Sequence, residues 1–465
     1  MKKTIVSLAA LAALALVGCE PKVNPAVAGL VINEVAAHDD RGLDSWVELY
    51  NNTASEIPLA GITVTLNDAY FVDKVLYAFG ANDKLAAGER CVLNTADNTL
   101  VTGFSSEEDF TITVKSGNAV VAKFSRDKDV EKPVKLSNNG SYQRLPDGTG
   151  AFIPTTSSTR GRENIVYTLE NTKHNAIWVW SSRMEAWLED DCAYMKDIKR
   201  RGYDHVLLNY SAFEHAKANT AKKFLAAASA NGLMVHAWVQ AFYSGGSWVN
   251  PIDPSTKKLR QDVFDKIIAN VNTYLDEFGV DGIHLDYIRY PGTASKYSYI
   301  DENGVTCSGA KAVAEFCRQL RENLKKREVE GRPETHIVVS AALMAEGVAT
   351  GIKSYGQDPY LMGKYIDVLM PMIYRYQSAT LVYGEEWARK QANEFALGSD
   401  AQVWAGTTTY CYGEGNAVTK LGEEQLRKDC EVFLTSRAKG VVLFRDGLGQ
   451  PFPDVNDLDW DNTIK

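Results

Sequence analysis

Asp281, His284, Asp286, Arg289 and Tyr290 crowd into one short stretch, FGVDGIHLDYIRYPG, from Phe278 to Gly292. Together these side chains could hold and move a proton beside a bound molecule. A carboxyl and an imidazole titrate, a guanidinium fixes an oxyanion, and a phenol offers a stacking face and a hydroxyl. If the stretch is a β-strand, alternation puts Gly282, His284 and Asp286 on one side and Asp281, Ile283 and Leu285 on the other. Ile283 and Leu285 belong against helices, so His284 and Asp286 face the opposite side, with Asp286 nearest the strand's end. Asp281 then sits low and outward in a structural role, and His284 reads as a satisfied core histidine. Asp286 is the candidate catalytic carboxyl, with Arg289 and Tyr290 as substrate-binding candidates in the following loop.

The elements that position this stretch repeat. From Asn175 onward, strand-like runs such as NAIWVWSS, DHVLLNYSA and LMVHAWVQAF alternate with amphipathic helical segments. In the segment before the motif, Phe264, Ile267, Ile268, Val271, Leu275 and Phe278 recur on one helical face. Eight such units predict a (β/α)8 TIM barrel of the α/β class, whose chemistry sits where the strands end. No glycine-rich phosphate loop follows the first strand, which argues against an open doubly wound sheet.

The strand tops add Trp180, Asn209, Trp238, Gln240, Asn250, Tyr374, Tyr410, Glu414 and Asp446 as substrate-binding candidates, with Trp178 read as packing. A rim of Trp and Tyr mixed with amides and acids suits a sugar, whose ring face stacks while its hydroxyls bond polar groups. Cleaving a glycosidic bond takes a proton donor to the leaving oxygen and a second group to support the oxocarbenium-like centre. Asp286 is the first carboxylate; Glu346, Glu414 and Asp446 all follow strands and leave the second open, with Glu346 preferred. Phosphoryl-transfer, nicotinamide and serine-nucleophile motifs are missing, as are HxH and HExxH, so neither a cofactor nor a metal is expected.

Residues 29–155 have a different period. Short runs such as GLVINEVAA, SWVELYNN, GITVTL and FTITVKSG, separated by Asn, Asp and Gly clusters, predict an all-β sandwich. Glu34 and Glu48 within it read as structural hydrogen-bonding groups. The chain opens MKKTIVSLAALAALALVGCE, a basic start and a short apolar run ending in small residues at Cys19. This reads as a secretory leader with a lipidation cysteine, which predicts a protein tethered to the cell envelope by acyl chains on Cys19. The expected organisation is therefore a leader over 1–18, a tether over 19–28, the sandwich over 29–155, a linker over 156–174, the barrel over 175–450 and a tail over 451–465.

Lys and Arg number 50 against 59 Asp and Glu, a net charge of −9, and losing Lys2 and Lys3 with the leader makes it two more negative. That balance, without any basic tract, argues against nucleic acid as a partner. Cys91, Cys192, Cys307, Cys317, Cys411 and Cys430 form no CxxC pair, so their spacing is not that of a zinc site.

The stretch Ser247 to Pro291, with Asn250, Pro251, Asp253, Pro254 and Arg260 ahead of Asp281 to Ile283, Asp286, Tyr287, Arg289 and Tyr290, resembles glycoside-hydrolase-like barrel families. The PMIY of Pro371 to Tyr374 is similar to the end of their sixth strand. Some relatives carry SAD near the end of the fifth strand where this chain has SAA, Ser340 to Ala342. The resemblance implies a barrel acting on polysaccharides or oligosaccharides, amino-sugar polymers among them, with Asp286 as the leading catalytic residue. INEV, DSWVELYNN, LAGITV, SYQRLPDGTGAF and TRGREN resemble the lamin tail domain, which implies an immunoglobulin-like sandwich that serves as an accessory binding or spacing module. The expected function is that of an exported lipoprotein glycoside hydrolase. The alternative is a non-catalytic glycan-binding or adhesion lipoprotein on the same barrel.

Overall fold

The computed structural model describes residues 22–38, 44–136, 139–155, 158–328, 335–376, 378, 381–413, 417–448 and 451–460. Cys19 and Glu414 lie outside the described residues. The N-terminal region is an all-antiparallel sandwich. One sheet runs Ala151–Thr155, Ser141–Leu145, Leu30–Ala36, Trp46–Asn51, Arg90–Asn94; the other runs Lys74–Ala78, Ile62–Asn67, Thr111–Ser116, Ala119–Ser125. Ile32, Leu49, Val64, Leu66, Ile112, Val114 and Phe124, all buried, form its core.

Glu34 and Glu48 are fully buried in this sandwich, and they hold the segment that follows it. Glu34 accepts the Thr159 N–H at 2.9 Å and the Thr159 hydroxyl at 2.8 Å; Glu48 accepts the Gly161 N–H at 2.7 Å and the Asn33 amide at 2.8 Å. Burial raises both carboxyls, Glu48 to about 8 with help from the Glu34 charge. Arg162 donates onward to the Ser229 carbonyl, and the Ser229 hydroxyl to the Ser158 carbonyl. Residues 158–164, expected as part of a linker, are therefore a bonded strap between the sandwich and the barrel.

The barrel closes through eight parallel strands, each paired with the next in the chain: β1 (Ala176–Val179), β2 (His205–Asn209), β3 (Met234–Gln240), β4 (Gly282–Asp286), β5 (Val338–Leu343), β6 (Val368–Pro371), β7 (Gln402–Thr408) and β8 (Gly440–Phe444). A repeated device ties its lower end. The carboxylate preceding one strand accepts an N–H of the strand or lead-in before it: Asp204 from Lys173 at 2.8 Å, Asp281 from Val235 at 2.7 Å, Asp367 from Val339 at 2.7 Å. Asp281 thus takes the low structural position that alternation assigns it.

Ile283 and Leu285 join the apolar layer between strands and helices, while His284 points inward. Trp178 is buried and donates its indole N–H to His284 Nε2 at 3.1 Å, and the Ser340 hydroxyl bonds His284 Nδ1 at 2.9 Å. Burial drives the imidazole down to about 3, so it is neutral at physiological pH. Gly282 allows this packing, because a Cβ there would lie 2.3 Å from His236 Nδ1. The helix before β4, Gln261–Thr273, continues as a wide turn over Tyr274–Phe278 and ends at Gly279, whose φ of 65° suits glycine. Residues 451–460, expected as tail, cover the barrel instead: Phe452, Val455 and Trp460 are buried in the strand–helix layer, and Tyr203 donates to the Pro453 carbonyl at 3.1 Å. Among the described residues no two of the six cysteines named above are paired.

Candidate active site

Asp286 closes β4 and is half-buried at the upper end of the barrel. Its Oδ2 accepts the Trp238 indole N–H at 3.0 Å from the neighbouring strand, and its Oδ1 accepts the Tyr287 backbone N–H at 2.7 Å. The second bond exists because Tyr287 adopts a left-handed φ of 52°, which turns the chain sharply after the strand. Burial holds the Asp286 carboxyl above its ordinary range, against the opposing pull of those two N–H groups and of the Arg289 charge. A carboxyl raised in this way keeps its proton to higher pH than an exposed aspartate does and can give it to an oxygen in the mouth.

Aromatic rings surround it. Trp180 packs edge-on to Trp238 at 5.5 Å, with the Arg445 guanidinium 5.1 Å from the Trp180 ring. Tyr374 stacks on Phe444 at 5.8 Å; burial, then the charges of Asp286 and Tyr410, hold its phenol well above the usual value. Tyr410 lies 6.3 Å from Phe444, and burial and its bond with Tyr412 push it up to about 12. On the other side a hairpin, Tyr243–Ser244 with Ser247–Trp248, puts Tyr243 in a stack on Tyr287 at 4.7 Å. Arg289 lies over Trp248 at 4.5 Å and Tyr355 at 5.3 Å, and burial lowers its pKa against the charges of Asp286, Tyr355, Tyr287 and Glu346. Glu346 is exposed and accepts the Tyr355 hydroxyl at 3.2 Å.

Asp286, Trp180, Trp238, Arg289, Tyr374 and Tyr410 therefore come together at the strand tops, and Gln240 pairs in register with Asp286 on β3. Asn209 and Asn250 have their amide oxygens engaged in shaping loops: Asn209 accepts the Ser211 N–H and hydroxyl, and Asn250 the Ile252 N–H. Two expectations need correction. Tyr290 does not reach the mouth; the turn at Tyr287 sends it back into the strand–helix layer, buried and stacked on Tyr297 at 5.6 Å, its hydroxyl without a partner among the described residues. Asp446 is fully buried beneath the first barrel helix, where it accepts Arg183 Nε at 2.8 Å, the Trp187 indole at 3.0 Å and the Tyr194 hydroxyl at 2.9 Å. Its oxygens are spent on structure.

Residues that the sequence reading passed over are Tyr243, Trp248, Tyr355, Phe444 and Arg445. Only Tyr243 and Trp248 left a signal, as aromatics bracketing the Gly245–Gly246 turn just past β3. Among the described residues, no group of three or more His, Cys, Asp and Glu side chains could hold a metal ion. A cavity of about 580 Å³ lies at the opposite end of the barrel, against the sandwich, where Asp281, His336, Arg327 and Tyr167 line it. It is remote from Asp286.

Residues 212–395 match the family model described as "Putative glycosyl hydrolase domain". That span runs from just after β2 to the helix before β7 and includes Asp286, Arg289 and Glu346. Residues 24–145 match the Lamin Tail Domain, so each part of the chain is similar to the family that its motifs resemble. Among solved structures, the chain is similar to the Bacillus cereus spore cortex-lytic enzyme SleL, with a TM-score of 0.42 and 11% identity over 69% of this chain and 79% of that one. It is also similar to a chitinase from Chromobacterium violaceum, with a TM-score of 0.41 and 12% identity over 59% of this chain and 95% of that one. No curated protein matches the chain.

Proposed function

We propose that the chain is an exported lipoprotein whose glycosyl hydrolase-like domain cleaves glycosidic bonds in a polysaccharide or oligosaccharide. The observation that carries this reading is Asp286: a carboxyl raised by burial, fixed by the Trp238 and Tyr287 N–H groups, and ringed by aromatic faces that suit sugars. Protonated Asp286 gives its proton to the leaving oxygen. Glu346, electrostatically linked to Arg289 as Asp286 is, serves as the second carboxylate. Asp286→Asn should then abolish cleavage, read by mass spectrometry of released products from peptidoglycan, amino-sugar polymers and plant or host glycans, while glycan binding persists. Cleavage at the wild-type rate would remove Asp286 from the chemistry.

A second reading, glycan binding without cleavage, is favoured by the state of the other strand-top acids: Asp446 is consumed by structure and Glu346 is exposed. An acyl anchor on Cys19 would hold either activity at the cell envelope. Cys19→Ala should move the protein from the membrane fraction to the soluble one; retention on membranes would sink the anchor.

A further inference from the structure

The cationic side chains at the strand tops divide by whether a carboxylate meets them. Arg183 bonds Asp446 at 2.8 Å, and Arg375 bonds Asp429 at 2.6 Å. Arg289, Arg445 and Lys217 meet no carboxylate within 4.0 Å among the described residues. Arg289 uses one donor, Nη1, on the Tyr290 carbonyl at 3.2 Å, and its guanidinium lies over the rings of Trp248 at 4.5 Å and Tyr355 at 5.3 Å. Among the described residues the Arg445 guanidinium has no hydrogen-bond partner, and it rests against Trp180. Lys217 donates to the Ser181 hydroxyl at 2.8 Å, which joins Ser211 and Asn209.

Both arginines are half-buried in a chain where acids outnumber bases, 59 to 50, so carboxylate partners are not scarce. A half-buried guanidinium without a contacting carboxylate is costly, and burial lowers the pKa of Arg289 despite the more distant charges of Asp286 and Glu346. Aromatic stacking removes rotamer freedom while leaving the N–H fork open, which pre-organises it for a planar or tetrahedral anion. Position adds a second constraint. Arg289 follows β4 and Arg445 follows β8, opposite strands of the closed eight-membered ring, so the two cations flank the mouth that holds Asp286.

We propose that the ligand of this mouth is an acidic glycan, with carboxylate or sulfate substituents on both sides of the sugar beside Asp286, and that Arg289 and Arg445 select it. This rests on the glycan reading above but not on cleavage. The two groups share anion chemistry, and the arms of the test separate them.

Binding of the full chain to a uronic-acid oligosaccharide, to its carboxyl-reduced counterpart and to a sulfated neutral oligosaccharide would be measured by calorimetry at low and high salt. An anionic ligand should bind at least about ten-fold more tightly than the reduced one, as expected for charge-assisted bidentate bonds, and lose that advantage as salt rises. Tighter binding of the uronate assigns a carboxylate; tighter binding of the sulfated ligand assigns a sulfate. Arg289→Gln and Arg445→Gln, on different strands and each checked for folding by circular dichroism, should each weaken the anionic ligand about ten-fold and the reduced ligand less than about two-fold. Equal affinity for acidic and reduced ligands, equal losses on both in the variants, or binding of none would overturn the proposal. Acid preference without bond cleavage would keep it and remove the hydrolase reading; cleavage with equal kcat/KM on uronate and reduced substrates would do the reverse.

Discussion

Replacing Trp238 by Phe keeps an aromatic ring against Trp180 and removes one atom that matters, the indole N–H donated to Asp286 Oδ2 at 3.0 Å. That bond favours the ionised carboxylate, so its loss must raise the Asp286 pKa further above the ordinary range, in the direction burial already drives it. A hydrogen bond to a charged group is worth about 1.5–3 kcal/mol, and the half-open mouth lets water replace part of it, which favours the low end. At about 1.4 kcal/mol per pKa unit, the expected shift is about one unit upward. If Asp286 gives its proton to the leaving oxygen, kcat/KM falls as pH rises through its pKa. The basic limb of the pH profile should therefore move about one unit to higher pH in Trp238→Phe. The assay is kcat/KM against pH for wild type and variant, with thermal melts to confirm that the smaller ring leaves the barrel folded. A basic limb that stays in place, or moves to lower pH, would refute the assignment of Asp286 as the proton donor.

Asp446→Asn should lower stability by about 2 kcal/mol or more in chemical denaturation, because it leaves Arg183 without its counter-charge beside the Trp187 and Tyr194 donors; a loss of ligand affinity with unchanged stability would instead return Asp446 to the mouth. Glu48 has a folded pKa raised to about 8 from an unfolded value of about 4.5, so the folded state binds the extra proton and stability should fall as pH rises through that window. Glu48→Gln should flatten this dependence in melts between pH 5 and 8, and an unchanged slope would mean that another group sets it.

Periodicity was enough to read the barrel and the sandwich, because each strand has to hide one apolar face and each helix one apolar stripe. For the same reason alternation placed Asp281, His284 and Asp286 correctly relative to one another: it needs only the strand. It failed at Tyr290, four residues past Asp286, because the left-handed backbone at Tyr287 breaks the register and no residue type there announces a positive φ. Asp446 misled for a related reason, since β8 ends at Phe444 and the chain then dives under a helix whose Trp187 and Tyr194 lie far away in sequence. The strap over 158–164 was hidden by composition: Thr, Ser and Gly read as a flexible joint, yet their N–H and hydroxyl groups are what two buried glutamates need.

The acids of this chain are thus sorted by the donors that reach them, not by their closeness to a strand end. Asp281 and Asp367 accept backbone N–H groups at the barrel floor, Asp446 accepts three side chains, and Glu34 and Glu48 are each met by several donors inside the sandwich. Fixed donors of this kind leave no room for a ligand. Asp286 has one N–H on each oxygen and a half-open mouth beyond, and the nearest guanidinium, Arg289, is drawn aside by Trp248 and Tyr355 without closing an ion pair. A half-buried carboxylate and a cation that meets no carboxylate within 4.0 Å among the described residues are a costly arrangement for stability alone. It is sensible where an incoming molecule supplies both missing partners: a leaving oxygen to take the proton from Asp286, and an anionic group to fill the fork of Arg289.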